Sequence, residues 1–272
     1  MILETIITDK TEVITFDEIP FSEKEKVYAY PYTNTSKKYV EMIEKHNGDY
    51  YFFKEVSSLK QYHSLYHELF GSYLAKRIKL PTVEYKVAVR GGILGIASKD
   101  FRSDKRYQFL KLGKDIKFTM FMLDEVLKMC ISDSNKKEFM TEYYKLLALD
   151  FAMGQEDRAA VNVQIAREKS TGKISLAPVY DYEVCFPYGF DKINNPLKDV
   201  DEVIPFIKET PEFKEIVFDT LDNDFGEIVT NIFDDYSFNK NTTGEDYERV
   251  LDFYDFINYK RKCFLKEYGV KR

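Results

Sequence analysis

The stretch LALDFAMGQEDRAAVNVQIAREKSTGKISLAPVYDYEVCF, residues 147 to 186, constrains this chain most, because it reads in order as helix, tight polar loop, β-hairpin and acidic turn. The hairpin signal is the turn KSTGK between NVQIARE and ISLAPVY. Asp157 precedes Asn162 by five residues in the loop, and Asp181 lies just past the second hairpin strand. A hairpin returns the chain to where it set out, so it delivers Asp181 beside the loop. A carboxylate that can orient or deprotonate a hydroxyl, together with hard oxygen ligands for Mg²⁺, is the set that phosphoryl transfer needs.

The remainder divides by pattern at about residue 100. Before it come short alternating runs, IITDKTEVITF, KVYAY, KKYVEMIEK and DYYFFKEV, the last beginning after the turn dipeptide Asn47-Gly48. They predict a hairpin-rich sheet. Residues 61 to 79 predict a helix, with Tyr62, Leu65, Leu69, Tyr73 and Ile78 on one stripe and a stop before Leu80-Pro81. A strand pair around Gly91-Gly92, VEYKVAVR and GILGIAS, follows. After Asp100 the spacing predicts helices over 118–131 and 136–153 and four more helix-like stretches from Asp199 onward, with the hairpin as the one exception.

Composition sets limits on function. A net charge of −6 and a pI near 5.4 argue against a general nucleic-acid binder, since neutralising phosphates takes a concentrated basic surface. Cys130, Cys185 and Cys263 are widely spaced with no CxxC pair, which suggests neither a disulfide framework nor a zinc site and suits a cytoplasmic setting. No run of 18 apolar residues is present and no signal peptide is visible, so no membrane span is expected. His63 and His67 have a zinc-compatible spacing but no third ligand in an evident motif.

With Asp157, Asn162, the hairpin and Tyr180-Asp181 in this order, the sequence resembles the HipA-like kinase family of the protein-kinase-like superfamily, with a likeness to phosphatidylinositol kinases at the loop. The resemblance spans roughly residues 30 to 190. It implies an α+β fold of two lobes, a β-rich N-lobe over 1–100 and a mostly helical C-lobe over 101–272. It also implies ATP and Mg²⁺ as cofactors, Asp157 as catalytic base, and Asn162 and Asp181 as metal ligands. Lys54 in DYYFFKEV would hold the ATP phosphates and Glu68 would pair with it. Independently, Glu68 shares a helix face with Gly71, Ser72 and Ala75, small residues that let a helix lie close to a sheet.

The phosphate loop falls on PYTNTSKKYV, where Thr35, Ser36 and Lys37 would meet the nucleotide, while Ser98 lies in the Gly95 to Asp100 stretch expected beside the adenine. Ser36 is also a candidate for autophosphorylation. Two positions depart from the family: this loop has no glycine, and Ala159 stands where relatives carry a His or Lys that steadies the transferring phosphoryl. Arg158, Lys37 or Lys38 are candidates to compensate. The expected function is ATP-dependent Ser/Thr protein phosphorylation, with a protein substrate and an antitoxin-like partner. The alternatives are a nucleotide-binding pseudokinase or partner-binding module, favoured by the two departures, and a small-molecule or lipid kinase.

Overall fold

The computed structural model describes residues 14–16, 40–46, 49–55, 59–90, 93–111, 120–155, 158, 162–182, 185, 207–235 and 244–268. The expected strand KVYAY and the Asn47-Gly48 turn lie outside these residues. Five strands, β1 (Ile14–Phe16), β2 (Val40–His46), β3 (Asp49–Glu55), β4 (Tyr85–Arg90) and β5 (Ile93–Lys99), form one sheet in the order β1-β4-β5-β3-β2. Between β3 and β4 runs helix α1 (Leu59–Arg77). The sheet is not built from hairpins alone, since β1 lies parallel to β4 with Ile14 opposite Ala88. A parallel pair needs a crossover, and no turn signal in the sequence announces it.

Register within this sheet sets the direction of the lysine. Lys54 stands opposite Ile96 and Phe52 opposite Ser98, and Ser98 in turn faces Tyr85 across β4. Side chains alternate along a strand, so Phe52 and Lys54 share a face with Ile96, Ser98, Tyr85 and Val87. Phe53 points the other way, onto Ala88 and Ala97. β3 approaches β5 so closely at Gly95 that a Cβ there would lie 2.6 Å from the Phe53 ring and nearer still to the Lys54 carbonyl.

α1 is buried along its inner turns: Tyr66, Leu69, Phe70, Leu74 and Ala75 are all nearly inaccessible. It ends two residues before the expected Lys79, which instead closes the helix in the left-handed region at φ 57°, with the Leu80 N–H donating to the Ala75 carbonyl at 2.8 Å.

The second half is helical, with one further strand. Besides α2 (Met120–Met129), α3 (Asp133–Met153), α4 (Pro211–Leu221), α5 (Phe225–Asp235) and α6 (Gly244–Tyr268), it holds the expected hairpin as β7 (Gln164–Glu168) and β8 (Ile174–Leu176). The hairpin does not stand alone: β6 (Tyr107–Lys111) pairs antiparallel with β7 and makes it a three-stranded sheet. YQFLK is too short for its own alternation to define a strand, and pairing from Tyr107–Glu168 to Lys111–Gln164 fixes it.

α3 begins three residues earlier than its apolar spacing suggests, because Ser132 caps it by accepting from the Asn135 N–H at 3.1 Å. Gly154 closes it at φ 64°. One apolar core runs from Tyr66 to Phe264. Phe70 of α1 stacks on Phe225 at 6.1 Å and meets Phe253 edge-on at 6.0 Å, so α1 is packed on both the sheet and the helices. Among the described residues no helix is long and apolar enough to cross a membrane.

Gly95→Ala should force β3 and β5 apart beside Lys54 and cost about 1–3 kcal/mol as an overpacking change. A denaturant midpoint equal to that of the wild type would show that the strands have room to separate there.

Candidate active site

Three segments distant in sequence meet at the lysine face of the sheet. Lys54 comes from β3, Glu68 from the middle of α1 and Asp181 from the turn after β8. Glu68 is completely buried, and each of its oxygens is engaged: Oε1 pairs with the Lys54 ammonium, and Oε2 accepts the Tyr182 N–H at 2.9 Å. Burial pushes the Glu68 carboxyl above its usual range and the Asp181 charge adds to this, while Lys54 pulls the other way. Burial, followed by the charge of Glu68, likewise raises the Tyr85 phenol, whose oxygen accepts the Asp181 N–H at 3.2 Å.

Asp181 sits in the left-handed region at φ 66°, a conformation that costs energy outside glycine and recurs at functional turns. Its Oδ1 takes Lys54 at 2.8 Å and its Oδ2 takes the Asn162 carboxamide N–H at 2.7 Å. Burial alone would raise this carboxyl; Lys54, Arg158 and the Asn162 hydrogen bond outweigh it and hold the group below the ordinary value. The strained backbone is held as well, since the Asp181 carbonyl accepts from Gln155 Nε2 at 2.9 Å and from Arg158 at 3.2 Å.

Arg158 is committed to structure. Its guanidinium pairs with Asp150 of α3 at 2.8 Å and donates to the carbonyls of Tyr180 and Asp181, with both side chains of the pair nearly buried. Burial raises Asp150, with Arg158 opposing, whereas the charge of Asp150 more than offsets desolvation at Arg158 and raises its pKa. An arginine held in this way is not available to replace the residue absent at Ala159. The Asp150, Arg158, Gln155 and Tyr85 cage was not read from the sequence; its one local signal is an aspartate inside the apolar run LALDFAM.

The structure therefore brings Lys54, Glu68, Asn162 and Asp181 together. Ser98 is buried in β5 on the same face, two residue pairs along from Lys54 toward Asp100. Asp157, Ala159, Thr35, Ser36, Lys37 and Lys38 lie outside the described residues. His67 is buried against the ring of Phe253 at 5.0 Å, and among the described residues no group of three or more His, Cys, Asp or Glu could hold a metal. Asn162 and Asp181 nevertheless fit one kind of cation. A carboxylate and a carboxamide side by side offer hard oxygen donors, and Mg²⁺ fills its other positions with water and phosphate rather than requiring a protein cage. No disulfide joins the three cysteines.

The five-stranded sheet with one helix packed on it, followed by a mostly helical half that carries a returning hairpin, is a mixed α/β fold of the kinase-like kind. Two solved structures share it. The proinflammatory kinase CtkA of Helicobacter pylori superposes with a TM-score of 0.59 at 14% identity, over 94% of this chain and 98% of its own. HipA of Shewanella oneidensis MR-1, in the structure of a toxin–antitoxin system with HipB and operator DNA, superposes with a TM-score of 0.51 at 11% identity, over 90% of this chain and 70% of its own. At these identities the likeness is one of fold. No protein-family model matches the chain, and no curated protein is similar to it in sequence.

Two tests follow from the geometry. Arg158→Met should cost about 3–5 kcal/mol by leaving Asp150 buried without its counter-charge, and adding Asp150→Asn should recover part of that loss; purely additive effects in the double mutant would mean that the pair is not coupled. Because the folded state holds Asp181 below its normal value, its contribution to stability is complete above the unfolded value of about 3.9 and is lost as pH falls through the folded one. Asp181→Asn should therefore destabilise the protein more at about pH 7 than at about pH 3. The same loss at both, measured by denaturant unfolding, would contradict this.

Proposed function

We propose that this protein is an ATP- and Mg²⁺-dependent kinase that transfers the γ-phosphoryl group to a Ser or Thr hydroxyl of a protein. The observation that carries this reading is the chain of direct contacts that joins Glu68 to Lys54, Lys54 to Asp181 and Asp181 to Asn162. Glu68 holds Lys54 toward the space in front of Asp181, where an ammonium can meet nucleotide phosphates. Asn162 and Asp181 would hold Mg²⁺, which bridges the phosphates and neutralises the charge that develops during transfer. Asp157, five residues before Asn162, would orient the acceptor hydroxyl and receive its proton. The base would lie beside the Gly95 to Asp100 stretch, and Thr35, Ser36 and Lys37 would cover the phosphates.

Ala159 and the glycine-free loop favour a second reading, in which the site holds nucleotide without transferring phosphate. Incubation of the full chain with Mg-ATP followed by intact-mass measurement separates the two. Added phosphate in the wild type, lost in Asp157→Ala while the thermal midpoint is retained, is the expected result. Nucleotide binding with no added mass and no ATP consumption, across a panel of protein acceptors, would decide for the second reading. Equal incorporation by wild type and Asp157→Ala would remove Asp157 as base.

A further inference from the structure

Gln164 carries a buried polar atom that neither the fold nor the phosphate end of the site accounts for. It opens β7, where Ile165 is fully buried in the common core, so by strand alternation Gln164 points to the opposite face, on which Tyr180 lies. Its Nε2 donates to the Tyr180 hydroxyl at 2.8 Å. The residue is 6% exposed, yet Oε1 has no hydrogen-bond partner among the described residues. A buried carbonyl oxygen without a donor is costly, and native proteins keep few of them.

Tyr180 immediately precedes Asp181, and its ring lies 6.0 Å from Phe101 in the single 3-10 turn after β5. The next residue of that turn, Arg102, is clamped by both oxygens of Asp100, at 2.6 and 2.7 Å, and covers the ring of Phe52 at 4.7 Å. Phe52 is two residues from Lys54 on the same strand face. One wall thus leads from the phosphate end, at Lys54 and Asp181, past Tyr180 and Gln164 to Phe52 and Arg102. A nucleotide with its phosphates on Lys54 would extend its nucleoside along this wall.

We propose that Gln164 reads the nucleoside: Oε1 accepts a hydrogen bond from a donor on it, a ribose hydroxyl or the exocyclic amine of the base, while Nε2 stays on Tyr180. This rests on the reading of the site as a nucleoside triphosphate site, and it assigns specificity to a residue outside the metal and phosphate set. The glutamine is then left unsatisfied in the nucleotide-free protein and satisfied in the complex.

The test is calorimetric titration of the full chain with ATP, 2′-deoxy-ATP, 3′-deoxy-ATP and inosine triphosphate, for wild type and Gln164→Leu, with Gln164→Met as a second variant that keeps the side-chain length. Wild type should bind one analogue about tenfold more weakly than ATP, and the identity of that analogue names the donor. Both variants should bind ATP about tenfold more weakly and lose that discrimination, with no fall in the thermal midpoint of the nucleotide-free protein. ATP affinity unchanged in the variants, discrimination that survives in them, or wild type that treats all four nucleotides alike would overturn the inference alone. No binding of any nucleotide by wild type would overturn it together with the proposed function.

Discussion

The rest of this structure depends on a carboxylate with no contact with water. Glu68 sits in the middle of a helix whose neighbouring turns are packed with Tyr66, Leu69, Phe70 and Leu74, and a charge in that setting persists only if both oxygens are engaged. One oxygen binds β3 through Lys54 and the other binds the backbone of the turn after β8 through Tyr182. A single side chain therefore fixes the distance between a sheet, a helix and a loop that are far apart in sequence. Such a buried pair adds little net stability, because desolvation offsets most of the attraction, but removing one partner leaves an uncompensated charge. What it secures is position.

A second layer does the same for the backbone of Asp181. Its left-handed conformation is unfavourable by itself, and three side chains hold it through four hydrogen bonds: Tyr85 at its N–H, Gln155 and Arg158 at its carbonyl, and Arg158 again at the carbonyl of Tyr180. Arg158 is in turn anchored by Asp150 in the last turns of α3, so Gln155 and Arg158, the helix before them and the acidic turn after the hairpin form one hydrogen-bonded unit. Local strain of this kind survives where the surroundings over-determine it.

Much of this was legible in the sequence, for identifiable reasons. The hairpin, the Asp157–Asn162 spacing and Tyr180-Asp181 are local patterns, and local patterns predicted β7, β8 and the neighbourhood of Asn162 and Asp181. The pairing of Lys54 with Glu68 is a long-range contact that entered through the family resemblance, supported by the small residues on the face of Glu68. The parallel strand β1, the added strand β6 and the anchoring of Arg158 by Asp150 were not legible, because each is fixed by tertiary pairing rather than by periodicity. Arg158 shows the limit most clearly. Its position beside Asp157 makes it a candidate to face phosphate, and only the buried acid at Asp150 shows that its charge is already taken.

The contact of α1 with the acidic turn is as close as a helix allows. A Cβ on Gly71 would fall within 2.6 to 2.8 Å of atoms of the Tyr182 ring, so the ring lies directly on the helix backbone, with its hydroxyl 2.9 Å from Thr82. Glu68, one turn earlier on the same face, binds the N–H of that same tyrosine. Displacing α1 would thus move Tyr182 with it and drag Asp181 away from Asn162, while Lys54 followed Glu68. With Phe70 packed on Phe225 and Phe253 as well, α1 is tied on both sides. The lysine, the glutamate and the aspartate therefore keep their arrangement together or lose it together, and the packing of one helix decides which.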